Sequence, residues 1–263
     1  MDFSVVSQVA RSLSHTELML MGFGLTLVVV AVAFKLGAAP FHMWVPDVYA
    51  GAPSSVTLFI ATATKIAALA MALRLLTVML PQLIDQWRTL LTVVAILSMG
   101  VGNLVAIMQT SLRRLLAYSS IAHMGFISLG LISGTPSGYA ASCFYLITYV
   151  ISSLGAFTVV TMLGRGEHVI DQIDDLAGLH HRQPIMAFIL LLLFFSMAGI
   201  PPLVGFWAKL SVLEALISQQ LIWLAVLALV FAIIGVYYYI RVIKVIYFDD
   251  SKQDCPKLQF SRS

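Results

Sequence analysis

The stretch Phe34–Pro53, FKLGAAPFHMWVPDVYAGAP, puts a lysine, three prolines, a histidine and an aspartate into an otherwise oily chain. Proline removes a backbone donor and clashes with the preceding helical turn, so an apolar helix arriving at Ala38 must stop and begin again further on. A stopped helix leaves carbonyl and N–H groups unpaired, and a bilayer accepts these only where protein or water satisfies them. The stretch therefore reads as a deliberate helix break, with Lys35 seated beside it in a hydrated interior.

The rest of the chain supports a membrane setting. Of 263 residues, 60% are hydrophobic and only 10% are charged, whereas soluble domains carry roughly a quarter charged residues. Apolar runs near the roughly 20 residues needed to cross a bilayer recur along the whole length. They lack the period-two alternation of a membrane β-barrel, so the fold class is an all-α polytopic membrane protein. The net charge of +3 is small and its basic residues lie at segment ends, which gives no footprint for nucleic acid. Cys143 falls in an apolar run and Cys255 in a polar tail, so two free thiols are expected. The polar start of the chain has no signal-peptide pattern.

Seven membrane segments are expected. Segment A covers about 17–38, followed by the break and a short helix at 41–49, and B covers 54–80. C follows at 89–109, D at 112–133 and E at 139–163. F covers 184–217 with a second break at 199–205, and G covers 221–248. Residues 1–16 form a polar lead, 17–248 one helical membrane domain and 249–263 a polar, disordered tail, while 164–183 reads as an amphipathic surface connection. Cytoplasmic loops hold the excess of Lys and Arg. Placing the C/D loop inside puts Arg113, Arg114, Arg165, Arg182, Arg241, Lys244 and Lys252 there, against Arg11, Arg74 and Arg88 outside.

Three lysines stand where lysine is costly. Lys65 lies roughly 15 Å into segment B, near the bilayer centre, where insertion costs at least about 2.5 kcal/mol and the side chain normally faces a bundle interior. Lys35 precedes the first break, GAAP, and Lys209 follows the second, GIPPLVGFWA. His123, in SSIAHMGF among Ser119, Ser120 and Ser128, has an intrinsic pKa suited to passing protons on. Low dielectric favours the neutral form of an amine, so buried lysines can alternate between charged and neutral states. Carboxylates are scarce: Asp47 follows the first break, and Glu214 is either core-facing or interfacial. His180 and His181 read as a solvated loop rather than a metal site, and Tyr237–Tyr239 as an interfacial aromatic belt. No dinucleotide fingerprint, P-loop or cysteine cluster is present.

FKLGAAPFHMWVPDVYAGAP, TATKIA, RRLLAYSSIAHMGF and SMAGIPPLVGFWAKL together resemble the antiporter-like membrane subunits of proton-pumping NADH:quinone oxidoreductase, respiratory complex I. PDVY-x-GAP with TATKIA resembles the subunit N branch of the bacterial enzymes. The other antiporter-like subunits and the multisubunit sodium/proton antiporters typically show LPDA and an HSATM-like stretch there. The resemblance implies two inverted five-helix repeats, each with a broken helix, and a line of ionisable groups across the membrane. By motif match Lys35 and Lys209 are the lysines of the two broken helices, Lys65 the next lysine on the axis and His123 the central histidine, relaying protons as quinone is reduced elsewhere. It also implies a bacterial inner-membrane location and other complex I membrane subunits as partners. NADH, FMN, iron–sulfur clusters and quinone then belong to other subunits, with no cofactor on this chain. Segments A to G correspond to the seventh to thirteenth of about fourteen helices, so the chain is expected to be a fragment. The glutamate that pairs with the lysine matched by Lys35 is expected on one of the helices before it. A subunit of a multisubunit cation/proton antiporter, a free-standing secondary transporter, whose sites also use discontinuous helices, and a structural scaffold are the competing readings.

Overall fold

The computed structural model of the chain describes residues 15–163 and 171–250. These form ten α-helices: α1 (His15–Leu36), α2 (Trp44–Gly51), α3 (Ser54–Leu73), α4 (Ile84–Met108), α5 (Leu112–Ile132), α6 (Pro136–Leu163), α7 (Leu179–Arg182), α8 (Pro184–Ala198), α9 (Val204–Ser218) and α10 (Ile222–Phe248). A π-helical turn at Arg74–Met79 extends α3, and short 3₁₀ turns stand at Pro81–Leu83 and Ile173–Leu176. Six helices are long and apolar enough to cross a membrane. The seventh expected crossing is split into α8 and α9, each of 15 residues. Cys143 is a free thiol; Cys255 and the proposed lead and tail lie wholly or mostly outside the described residues.

Helix α5 is the hub. Of its 21 residues, 18 are buried, because α4, α6, α9 and the short α2 all pack on it. Glycine allows the tightest of these contacts. A Cβ on Gly102 would stand 2.5 Å from the Ala122 nitrogen and 2.8 Å from the Tyr118 carbonyl, and one on Gly125 would stand 2.8 Å from the Ala95 carbonyl. Small residues let two backbones approach where lipid offers no hydrophobic force to press helices together. The outer faces remain apolar: Phe23, Leu27, Phe59, Ile151, Phe188, Trp223 and Ile233 are all more than half exposed.

Segment C begins at Ile84, five residues before the Thr89 expected from hydropathy alone. The added turn is polar, but Trp87 within it is buried. Arg88 donates to the carbonyls of Ile132 (2.8 Å) and Ser133 (3.0 Å), satisfying the end of α5. The short helix after the first break runs at Trp44–Gly51 rather than 41–49.

Both breaks share one construction. After α1, Gly37 takes φ +72°, with N–H bonds from Gly37 to Phe34 O (3.0 Å) and from Ala38 to Ala33 O (2.8 Å). After α8, Gly199 takes φ +82°, with bonds from Gly199 and Ile200 to Phe195 O, each 3.0 Å. Left-handed glycine closes a helix by answering its last carbonyls. A cis X-Pro peptide follows in each case, Ala39–Pro40 and Pro201–Pro202. Remaining backbone groups find side chains from elsewhere: the Ala39 N–H donates to Ser98 Oγ on α4 at 2.8 Å, and Trp44 Nε1 donates to Phe34 O at 3.1 Å.

Candidate functional site

The second break is closed by a lysine. Lys209, on the first turns of α9, returns to α8 and donates from Nζ to the Ala198 carbonyl at 2.7 Å. That carbonyl lost its helical partner when α8 stopped, and the negative end of a helix is where a cation is favoured. The fit is close, since a Cβ on Gly199 would stand 2.8 Å from Lys209 Cδ. Lys209 Nζ also lies 5.3 Å from the centre of the Phe126 ring, which stacks on Tyr145 at 6.1 Å with the planes 8° apart.

Lys65 is 1% exposed. Its ammonium group donates to Ser120 Oγ and lies 5.5 Å from the Tyr149 ring centre. Tyr149 in turn lies 5.1 Å from the His123 ring. His123 is held on both sides: Nδ1 pairs with Tyr145 Oη and Nε2 with Tyr239 Oη, each at 3.0 Å. A neutral imidazole has one donor and one acceptor. One of the two tyrosines therefore donates to the ring while the other accepts. Tyr239 also bonds to Ser119.

Between His123 and the second break lies a small cavity lined by Tyr145, Thr148, Tyr149, Ser152 and Ser196, with Gly205 and Ala208 at its far wall. It is about the size of one water molecule, and its hydroxyls can serve a polar occupant. Tyr49 of α2 brings the first break to the same row. Its ring stands edge-on to Phe157 at 5.7 Å, and its buried hydroxyl lies beside Ser120. Buried Lys65 and His123 and half-buried Lys209 thus form one row across α3, α5, α6 and α9.

Two sequence-predicted residues stand outside that row. Lys35 is exposed rather than internal. Helix α1 packs on α3 and α4 along one face, and on the face bearing Lys35 the Trp44 ring lies 5.8 Å from that of Phe34, which is still 49% exposed. Glu214 is also exposed, on the side of α9 that turns away from the neighbours burying Val212, Leu213, Ala215 and Leu216. The aromatic belt is corrected as well. Only Tyr237 faces outward, at 60% exposure, while Tyr238 and Tyr239 are each 1% exposed. Three consecutive helical residues span 200° of rotation, so they cannot share a face. The same 100° step per residue is the sequence signal that sets Tyr239 on a different face from Tyr237. Tyr145 and Tyr149, one helical turn apart on α6, were signalled only by their spacing.

Arg114, Arg182 and Arg241 lie at one end. Arg241 donates to Ile107 O (2.6 Å) and Gln109 O (2.9 Å), Arg182 to Ala177 O (2.9 Å), and Arg114 pairs with Asp47 at 3.2 Å. The 171–183 connection buries Ile173, Leu176 and Leu179 beneath this end; Arg165 and Lys252 lie outside the described residues. His180 bonds through Nδ1 to Ile246 O at 3.0 Å and stacks on Tyr247. Among the described residues no three of His, Cys, Asp and Glu gather as for a metal ion.

A polytopic helical fold with two broken helices and a buried row of lysine and histidine defines an antiporter-like membrane subunit. A family model described as NADH:quinone oxidoreductase/Mrp antiporter, TM, matches residues 1–235, and the chain belongs to that family. A Coxiella burnetii protein is 58% identical over 249 residues, 94% of this chain and 52% of its own length; a Thioalkalivibrio sulfidiphilus protein is 52% identical over 234 residues, 89% and 49%. Both are named NADH-quinone oxidoreductase subunit N. The chain spans about half the length of these relatives. Among solved structures, respiratory complex I from Thermus thermophilus matches at 36% identity and TM-score 0.76, covering 88% of this chain and 51% of that one. The Mrp complex from Dietzia matches at 26% and 0.83, covering 94% and 46%. The archaeal membrane-bound sulfane sulfur reductase matches at 25% and 0.87, covering 95% and 51%. The fold is therefore shared by several complexes, while sequence identity places the chain with the subunit N relatives.

Proposed function

We propose that this chain is a proton-translocating element of the membrane arm of an NADH:quinone oxidoreductase, working without a redox cofactor of its own. The observation that carries this is the interior row Lys65–Ser120–Tyr149–His123–Tyr145 leading to Lys209 at the second break. An amine in low dielectric alternates readily between charged and neutral forms, and a histidine with partners on both nitrogens can take a proton on one side and release it on the other. Quinone chemistry in other subunits would bias these states, with NADH, FMN and iron–sulfur clusters held there.

Lys35 belongs to the same row in this reading. A bare lysine on a lipid-facing helix is costly, so its exposed face is one that a carboxylate-bearing helix covers in the complete assembly. The arginine-rich end faces the cytoplasm of a bacterial inner membrane, following the charge bias of short loops. Mrp-type cation/proton exchange is the competing activity, since the Mrp complex shares the fold.

The test is NADH-driven proton uptake per NADH oxidised in everted membrane vesicles. Lys35→Ala, Lys65→Ala and Lys209→Ala are each expected to lower that ratio with the complex assembled. An unchanged ratio in all three would sink the relay, and sodium/proton exchange independent of NADH would favour the competitor.

A further inference from the structure

The interior row crosses the bundle sideways, yet a translocated proton must also travel along the membrane normal. One polar branch leaves the row in that direction. From His123 it passes to Tyr239, whose hydroxyl bonds both His123 Nε2 (3.0 Å) and Ser119. Tyr238 stands beside both, with its ring 4.5 Å from that of Tyr239 and its hydroxyl against Ser119. The Tyr238 hydroxyl donates to Asn103 Oδ1 at 3.3 Å, and Asn103 is fixed by its own bond from Nδ2 to Met99 O at 2.8 Å.

At 1.5 Å per residue, His123 lies about 16 Å along α5 from Leu112, whereas Asn103 lies about 8 Å from the end of α4 at Met108. The branch therefore climbs from mid-depth toward the arginine-rich end. There Arg241 ties α10 to the last carbonyls of α4, one turn beyond Asn103. Glycine makes the branch narrow: a Cβ on Gly235 would stand 2.9 Å from Asn103 Oδ1, so α10 approaches Asn103 only because residue 235 has no side chain. All four polar residues of the branch are at most 2% exposed. A fully buried line of hydroxyls is costly unless each finds a partner, and here each one does.

We propose that Tyr238, Ser119 and Tyr239, positioned by Asn103, form the proton-conducting branch that joins His123 to the arginine-rich face. This rests on the relay reading above. The Tyr238 hydroxyl turns from Asn103 Oδ1 to Ser119 or Tyr239 and passes its proton along that contact, and a proton arriving at Tyr238 Oη from the arginine-rich side takes its place. The same exchange at Tyr239 forms an N–H bond at His123 Nε2, and the imidazolium then releases its Nδ1 proton to Tyr145 Oη as that oxygen's own proton leaves into the small cavity Tyr145 lines. The ring ends neutral in its other tautomer and nothing is oxidised or reduced. The reverse sequence carries a proton outward.

The test uses the assembled complex in everted vesicles, with assembly checked by native gel and NADH oxidation followed in parallel. Tyr238→Phe and Tyr239→Phe, which each remove one hydroxyl and keep the ring, are expected to slow proton transfer through this subunit about tenfold. Asn103→Leu, which keeps the volume but frees the Tyr238 hydroxyl, is expected to slow it in the same direction. Tyr238 does not bond His123, so a merely structural role for the tyrosines around the imidazole predicts loss in Tyr145→Phe and Tyr239→Phe but full transfer in Tyr238→Phe and Asn103→Leu. That pattern would overturn the branch while leaving the relay intact. His123→Ala with undiminished pumping would instead remove the relay itself.

Discussion

Lys209 has a structural role and a proposed chemical one, and two substitutions separate them. Lys209→Met keeps most of the side-chain volume beside Gly199 but leaves the Ala198 carbonyl without its 2.7 Å donor. That carbonyl ends α8 at a break surrounded by protein, where an unsatisfied buried acceptor costs about 1–3 kcal/mol, and loss of a cation at the helix C-terminus adds about 0.3–1 kcal/mol. Unfolding of the chain in mixed detergent micelles should therefore show the Met variant about 1–4 kcal/mol less stable. Lys209→Arg retains a donor for Ala198 O and stays charged at every accessible pH, so its stability should remain within about 1 kcal/mol of the parent. Its proton uptake per NADH should nevertheless fall as far as that of the Met variant, because a group that cannot deprotonate cannot relay. An Arg variant that pumps normally would refute the relay role of Lys209. A Met variant that unfolds like the parent would refute the carbonyl cap.

Two further outcomes test the architecture. Ser98→Ala should cost about 1–3 kcal/mol in the same unfolding measurement, because it strands the buried N–H of Ala39 in the first break; Ser98→Thr, which keeps the hydroxyl, should recover part of this. Gly102→Ala should cost about 1–3 kcal/mol by overpacking, since its methyl would meet the α5 backbone at Ala122 and Tyr118 rather than a movable side chain; Gly24→Ala, which meets nothing within 4 Å, should be close to neutral.

Much of this protein follows from local chemistry. Apolar runs of membrane length, interrupted by Gly and Pro in GAAP and GIPP, are enough to place the helices to within a few residues, because a bilayer allows backbone no alternative to internal hydrogen bonding. The same economy singles out Lys65 and His123, since a charge or imidazole deep in an apolar segment must face inward. Rotation and packing are a different matter. Lys35 stands just before one break and Lys209 just after the other, yet Lys209 is folded onto the Ala198 carbonyl while Lys35 is exposed. The difference comes from which helices surround α1 and α9, a long-range property that neither segment encodes. Tyr237, Tyr238 and Tyr239 are chemically alike and adjacent, and only the packing of α10 against α4, α8 and α9 turns two of them into interior hydroxyls and leaves one facing outward. The sequence by itself determined that the chain spans a membrane, where its helices break and that Lys65 and His123 are buried within it. Only the tertiary structure decided which of those groups touch, because contact depends on helix rotation and neighbours rather than on the oiliness of any one stretch.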